Sequence, residues 1–354
     1  MNSAILMQYR KYVRRRIYFI LIVLLLLILL SFLSLVTGSA DITAGDIFRL
    51  LTGEGSAFTS QIILNIRMPR VIGAILAGMA LAVSGAVIQS LLHNPLASPY
   101  TLGISGASAF GAAFAIVVLG AGSAYQGSND MAVINNPYIV TLSAFMWSVI
   151  GVLVILALSK YKGATPEMII LSGIILSSLF SAGISAMQYF ADDIQLASIV
   201  FWTFGDLGRA SWDNTVILAI ILVPVIIFFF WQIWTYKSLQ SGDEHAQSLG
   251  VNVRRVRLTG MMMATLATAV AVSFYGVIAF VGLVVPHIVR RIIGNDEQFL
   301  IPASTIFGGA FLLLSDTLAR TVISPVILPV GILTSFIGAP LFLFLLIKSM
   351  SKTY

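Results

Sequence analysis

No cysteine occurs among the 354 residues. That excludes a disulfide framework, thiol catalysis and cysteine-ligated metal. Charge is scarce as well: Asp, Glu, Lys and Arg make up 10% of the chain, against about 25% in ordinary soluble domains. There are three histidines, His93, His245 and His287, and neither H-E-x-x-H nor a Ser/His/Asp order nor a pair of carboxylates accompanies them. No catalytic residue and no metal-ligand set is therefore expected, and each histidine reads as a hydrogen-bonded residue near a helix end. The phosphate-cradling pattern G-x-x-x-x-G-K-[ST] is absent too, so the chain carries no nucleotide loop of its own.

What is present is apolar surface. Hydrophobic residues make up 58% of the sequence, and the mean hydropathy is +0.99. These values define an integral membrane protein, and its long apolar runs make it all-α. The stretch RRRIYFILIVLLLLILLSFLSLV, residues 14–36, holds about the 20 uncharged residues needed to cross a hydrocarbon core of roughly 30 Å. A secretory signal needs a shorter apolar region and then a cut; Gly38 and Ala40 could serve as such a site, but hydrophobicity continues beyond them. Long apolar stretches bounded by charges or Gly/Pro clusters predict about ten transmembrane helices, near 17–36, 67–91, 99–119, 137–159, 166–190, 214–236, 258–275, 277–290, 301–322 and 329–349. The eighth is too short to cross as a straight helix.

Charge orients them. With a cytoplasmic amino terminus, Arg49, Arg67, Arg70, Arg209 and Arg320 fall outside and the other fifteen of the 20 Lys and Arg residues fall inside. This is the positive-inside bias, and it puts both termini in the cytoplasm. The basic residues belong to short loops, which favours lipid and topology over nucleic acid as the cause of the high pI of about 9.6. Residues 1–16 read as a basic cytoplasmic segment and 17–354 as a single transmembrane domain.

The predicted spans carry no Asp, Glu, Lys or Arg near their middles, where each would cost about 2.5–3.5 kcal/mol. A proton- or sodium-driven carrier commonly keeps such a residue, so uphill movement would need a partner's energy. Small residues recur instead: Ala74, Gly78, Ala82 and Ala86 form a smooth ridge on the second span. Ser177, Ser181, Ser185 and Gln188 form a polar stripe on the fifth, either lining a pathway or hydrogen-bonding between helices.

Several segments are diagnostic: RMPRVIGAILAGMALAVSGAVIQSLLHNPLASPYTLGISGAS (67–108), GDEHAQSLGVNVRRVRL (242–258), GVIAFVGLVVPHIVRRIIGNDEQFLIPAS (276–304) and SDTLARTVISPVILPVGILTSFIGAPLFLFLL (315–346). They resemble the permease subunits of bacterial ABC importers for iron–siderophore complexes, haem and cobalamin, the FecCD-like group with the type II importer fold. The resemblance implies ten helices per permease in a bacterial or archaeal cytoplasmic (inner) membrane. It also implies a second permease subunit, identical or related, two cytoplasmic ATPase subunits that bind ATP and Mg, and an extracytoplasmic substrate-binding protein; this chain would bind no cofactor. If spans 2–5 and 7–10 are repeats, they are inverted.

The loop at about 236–257 resembles the coupling element that sits in a groove on the ATPase. Asp243 and Glu244 stand where a short helix would begin, suiting its positive end, and Gly250 can close it after Leu249. Gly242, Asp243, Glu244, Ala246, Ser248, Leu249 and Gly250 are assigned to coupling, with His245 where a small residue is common; the alternative is a merely solvated loop. Arg67 and Arg70, three apart, lie on one helical face at the outer start of the second span. Arginines at the positions of Arg67, Arg70 and Arg320 meet the binding protein in similar permeases, although Arg320 can also pair with Asp316 at i,i+4. In KYKGATPE (160–167), Ala164 and Thr165 lie near the inner gate by resemblance, while chemistry alone reads the turn as a positive-inside loop. A self-sufficient carrier or channel is the competing function; it would need an intramembrane charge or activity without an ATPase.

Overall fold

A computed structural model describes residues 2–38, 42–121, 136–162 and 165–350. It is helical, with no strand among those residues. The helices are α1 (Asn2–Val36), α2 (Ala44–Leu51), α3 (Ala57–Ile62), α4 (Met68–Leu91), α5 (Ile104–Val117), α6 (Pro137–Lys162), α7 (Pro166–Phe190) and α8 (Asp193–Thr203). There follow α9 (Trp212–Trp231), α10 (Ile233–Leu239), α11 (Asp243–Ser248), α12 (Val253–Tyr275), α13 (Val281–Ile293), α14 (Glu297–Thr321) and α15 (Val330–Met350).

Among the described residues, seven helical segments are long and apolar enough to cross a membrane: α1, the continuous rod from α3 through α4, α6, α7, α9, α12 and α14. Every predicted span contains a helix, but several are shorter than expected or differently bounded. The third begins only at Ile104, because residues 92–103, with Pro95, Pro99 and a left-handed Gly103, form turns. At 1.5 Å per residue, α5 and α13 are each about 20 Å long, less than the hydrocarbon thickness. Between α12 and α13 the chain breaks at Gly276 and Phe280, both at positive φ. In the other direction, α1 runs through the basic segment from Asn2, and a π-helical turn at Ile63–Arg67 joins α3 to α4, so the second predicted span starts well before Arg67.

Helix α4 is the axis of the packing, enclosed by α14, α12, α13 and α9. Ala74, Gly78, Ala82 and Ala86 are all buried in it. In lipid there is no hydrophobic force between helices, so close van der Waals approach must hold them. The ridge allows that approach: a Cβ at Gly78 would overlap the Gly308 carbonyl oxygen on α14, and one at Gly85 would overlap that of Gly282 on α13. Ser84 adds a hydrogen bond to the Ala264 carbonyl of α12 at 3.0 Å. Helices α5, α6 and α7 are held together by Phe110, Trp147 and Phe180, with Phe110 and Trp147 edge to face at 4.8 Å between centroids. Ser143 and Ser148 of α6 donate to carbonyls of α5 at 2.6 and 3.2 Å.

Candidate functional site

The loop between α10 and α12 folds as expected from its end residues. Helix α11 begins at Asp243, directly after Gly242, and Gly250 at φ +84° closes it. The closure uses two bonds, from Gly250 N–H to the Gln247 carbonyl and from Val251 N–H to that of Ala246, at 2.9 and 3.1 Å. These satisfy carbonyls that a helix end otherwise leaves without partners. Asn252 then caps α12 by accepting from Arg255 N–H at 3.0 Å.

One face of α11 is anchored and the other is free. Ala246 is fully buried, and Asp243 accepts from Arg257 at 2.8 Å. Arg257, itself buried, also donates through Nε to the Leu91 carbonyl at the end of α4. One guanidinium thus ties the short helix to both α12 and the central α4. Glu244, His245, Gln247, Ser248 and Leu249 face outward, and Leu249 is 62% exposed.

A second set of polar contacts surrounds a cavity of about 260 Å³ behind the loop. Gln240 donates to the Asn295 carbonyl and to Glu297 Oε1 at 2.6 and 2.7 Å. Arg290 of α13 bonds Asn295 and the Gln89 side chain of α4, each at 2.8 Å. His93 lies with Nε2 at 2.7 Å from the Leu239 carbonyl, which requires the Nε2–H tautomer. Beside them Asp296 receives Arg16 of α1 at 2.9 Å and Lys237 of α10 at 3.1 Å. Partial burial acts to raise the Asp296 carboxyl, but its bonds to Lys237, to Gln298 N–H and to Arg16 outweigh this and hold it below the usual range. Sequence reasoning missed Arg257, Gln240, Glu297, Arg290 and Asp296. The available signal was Gln89, an amide inside an apolar run, which requires a polar partner.

The serine stripe divides. Ser177 and Ser181 line a cavity of about 700 Å³ between α7 and the 94–101 turn, together with Asn94, Tyr100 and Thr101. Ser185 and Gln188 lie one and two turns further along and do not line it. Ser177 and Ser185 donate to carbonyls of their own helix, Gly173 and Ser181, at 2.8 and 3.1 Å, and not to a neighbouring helix. Thr165 caps α7, accepting from Met168 N–H at 3.4 Å; Ala164 lies outside the described residues.

The three arginines assigned to docking are brought together at the opposite end of α4, and their charges are taken up internally. Arg67 donates to the Leu35 and Val36 carbonyls at 2.6 and 2.8 Å. Arg320 donates to Ser34 Oγ at 2.6 Å and to the Thr37 carbonyl at 3.0 Å. Both cations therefore cap the carboxyl end of α1, where carbonyls lack helical partners and the dipole is negative. Arg70 binds Asp316, and Arg320 pairs with the same Asp316 at 3.1 Å, as its i,i+4 spacing suggests. The spacing of Arg67 and Arg70 does not make one exposed face: the former turns to α1, the latter to α14.

His245 is exposed on α11. His287 is packed against Phe342 at 5.8 Å between centroids, and its Nδ1 finds no partner, unlike the hydrogen-bonded helix-end residue expected. Among the described residues no group of three or more His, Cys, Asp or Glu side chains could hold a metal ion.

Long apolar helices, small-residue seams and an outward-facing loop helix braced against the central helix define a multi-pass helical membrane protein. The sequence pattern of the FecCD transport family matches residues 25–348, and the chain belongs to that family. An ABC transporter permease protein of Methanocaldococcus jannaschii is 52% identical over 345 residues, 98% of this chain and 98% of its own. The hemin transport system permease protein of Yersinia pestis is 38% identical over 321 residues, 90% of this chain and 93% of its own. A solved metal-chelate type ABC transporter in an inward-facing conformation superposes with a TM-score of 0.81 at 30% identity, covering 93% of this chain and 98% of that one. The chain is accordingly a membrane permease component of an ABC importer and not itself an enzyme.

Proposed function

We propose that this permease carries a bulky chelate of the iron–siderophore, haem or cobalamin type inward, driven by ATP hydrolysis on a partner. Ten helices cross the cytoplasmic membrane with both termini inside, α5, α13 and α15 completing the seven longer spans. Two permease subunits enclose the pathway, two ATPase subunits bind beneath them, and a binding protein delivers cargo from outside. The positive-inside distribution supports the orientation, and a hemin permease and a metal-chelate transporter among the similar proteins support the cargo class.

The observation that carries the reading is the braced α11. Its exposed Glu244, His245, Ser248 and Leu249 form the contact for the ATPase, and Gly242, Asp243, Ala246 and Gly250 hold the helix in place. The 700 Å³ cavity with Ser177 and Ser181 belongs to the pathway, with Ser185 and Gln188 further along it and Ala164 and Thr165 at its inner gate. The binding protein docks at the end holding Arg67, Arg70 and Arg320, whose internal bonds fix the helix ends that shape the rim.

The test is to co-purify the chain with its ATPase, reconstitute both in vesicles and measure uptake of ferric siderophore, haem and cobalamin. ATP-dependent accumulation of one of them is expected. Accumulation by the permease alone would overturn the proposal.

A further inference from the structure

A groove of about 460 Å³ lies between α1 and α13, apart from the coupling loop, the serine cavity and the buried arginine network. Its rim carries Lys11, Arg14 and Arg15, all exposed. Its wall is apolar, with Tyr18 and Ile22 from α1 and Ile292 from α13. Positions 11, 15, 18 and 22 recur at helical spacing, so the cations stand directly above the apolar wall on one stripe of α1. Tyr18 joins the two halves: its hydroxyl accepts from Arg14 Nε at 2.8 Å, and the guanidinium lies 5.2 Å from its ring centroid.

The three cations differ from their neighbour Arg16, which is buried and paired with Asp296. Among the described residues, Lys11, Arg14 and Arg15 have no carboxylate partner. Orientation by the positive-inside rule needs only the number of such charges near a span. It does not need them to cluster over a cavity with an apolar wall. A soluble anion would satisfy the cations and leave that wall uncovered. A zwitterionic lipid would cover the wall and leave the cations without net compensation. The membrane-facing surface of α1 continues from the groove through Leu21, Leu25 and Ile28, each more than half exposed, which is a track for a hydrocarbon chain.

We propose that this groove is a binding site for one anionic phospholipid, its headgroup phosphate between Lys11, Arg14 and Arg15 and a chain against Tyr18, Ile22 and Ile292. Basic pockets between transmembrane helices at the cytoplasmic boundary hold anionic headgroups by this combination of charge and shape. The site pins α1 to α13, and α13 carries Arg290 of the network behind the coupling loop. The proposal needs only that the chain is embedded in lipid, and is independent of the cargo.

The test uses the full-length protein in mixed vesicles of phosphatidylglycerol and phosphatidylcholine, with spin-labelled analogues of each reporting the immobilised lipid at the protein surface. The unmodified chain is expected to prefer phosphatidylglycerol. Lys11→Gln, Arg14→Gln and Arg15→Gln should each lower that preference by about fivefold. Ile292→Trp, which fills the groove and leaves every charge in place, should lower it by a similar factor and also decides the matter if a charge variant fails to insert. Preference unchanged by Ile292→Trp would mean diffuse electrostatic attraction, and would overturn the site. So would displacement of the labelled lipid by inorganic phosphate, which would assign the cations to a soluble anion.

Discussion

Asp316 of α14 accepts both Nε and Nη2 of Arg70 across the seam with α4, at 2.8–3.1 Å, with no exposed surface on its own side chain. Arg320 shares the same carboxylate, so removing it leaves two cations facing each other in a desolvated place. Asp316→Ala should destabilise the protein by about 3–5 kcal/mol, as for other broken buried pairs. Replacing Asp316 and Arg70 together by apolar residues should cost less than Asp316→Ala alone, because only Arg320 then loses its carboxylate, and it keeps its bonds to Ser34 and the Thr37 carbonyl. Thermal unfolding in detergent, followed by loss of the monodisperse peak, measures both.

Arg257 is predicted to be a positioning residue for coupling. Arg257→Ala removes its bonds to Asp243 and to the Leu91 carbonyl, each a charge-assisted contact of about 1.5–3 kcal/mol. In the assembled transporter, ATP hydrolysis should continue while uptake falls at least about tenfold, since that ratio corresponds to about 1.4 kcal/mol of lost linkage. Leu249→Asp, which alters only the exposed tip, should reduce ATPase association and leave the permease fold intact.

Ser181 is exposed and lines the largest of the described cavities. Ser181→Trp should obstruct it. Uptake should fall sharply, and thermal stability should stay within about 0.5 kcal/mol, as for a surface substitution. Equal uptake at equal protein would remove this cavity from the pathway.

Two glycines should respond differently to one methyl group. At Gly85 the added Cβ would overlap the Gly282 backbone, so Gly85→Ala should destabilise the helix core by about 1–3 kcal/mol or more. At Gly250 there is open space and only the left-handed backbone resists, so Gly250→Ala should cost about 1–2 kcal/mol within the loop. Unfolding temperature should report the first, and the ratio of ATP hydrolysed to cargo moved the second.

Asp296 sets an acid limit. Its folded carboxyl is held below its ordinary 3.8, so the unfolded chain binds that proton more readily. The stabilisation is complete above the ordinary value and is lost as pH falls through the lower folded value. Asp296→Asn should therefore lower stability at neutral pH and narrow the gap from the unmodified protein on acidification, as read from unfolding temperatures across pH.

The helices, their membrane class and the loop helix at Asp243 were legible because each depends on local chemistry: apolar length, proline and glycine breaks, and acids at a helix start. The Arg320–Asp316 pair was legible for the same reason, being one turn apart. Arg67 and Arg70 were not, because carbonyls at the end of α1, more than thirty residues away in sequence, decide where the Arg67 guanidinium goes, and Asp316 of α14 decides it for Arg70. The short α5 was missed because hydropathy does not distinguish an apolar turn from an apolar helix, and the early start of α12 because its first residues include Arg254, Arg255 and Arg257, which a hydropathy reading places outside a span.

Composition, periodicity and charge asymmetry were enough to make this chain a multi-pass helical membrane protein, since the cost of burying charge in hydrocarbon acts on each residue separately. Which polar groups meet depended on the packed helices. Gln89 with Arg290, Arg257 with Leu91, and Gln240 with Glu297 are each joined across more than fifty residues. Such partners are chosen by backbone geometry, which brings a donor to an acceptor that has lost water, and no local pattern encodes that distance.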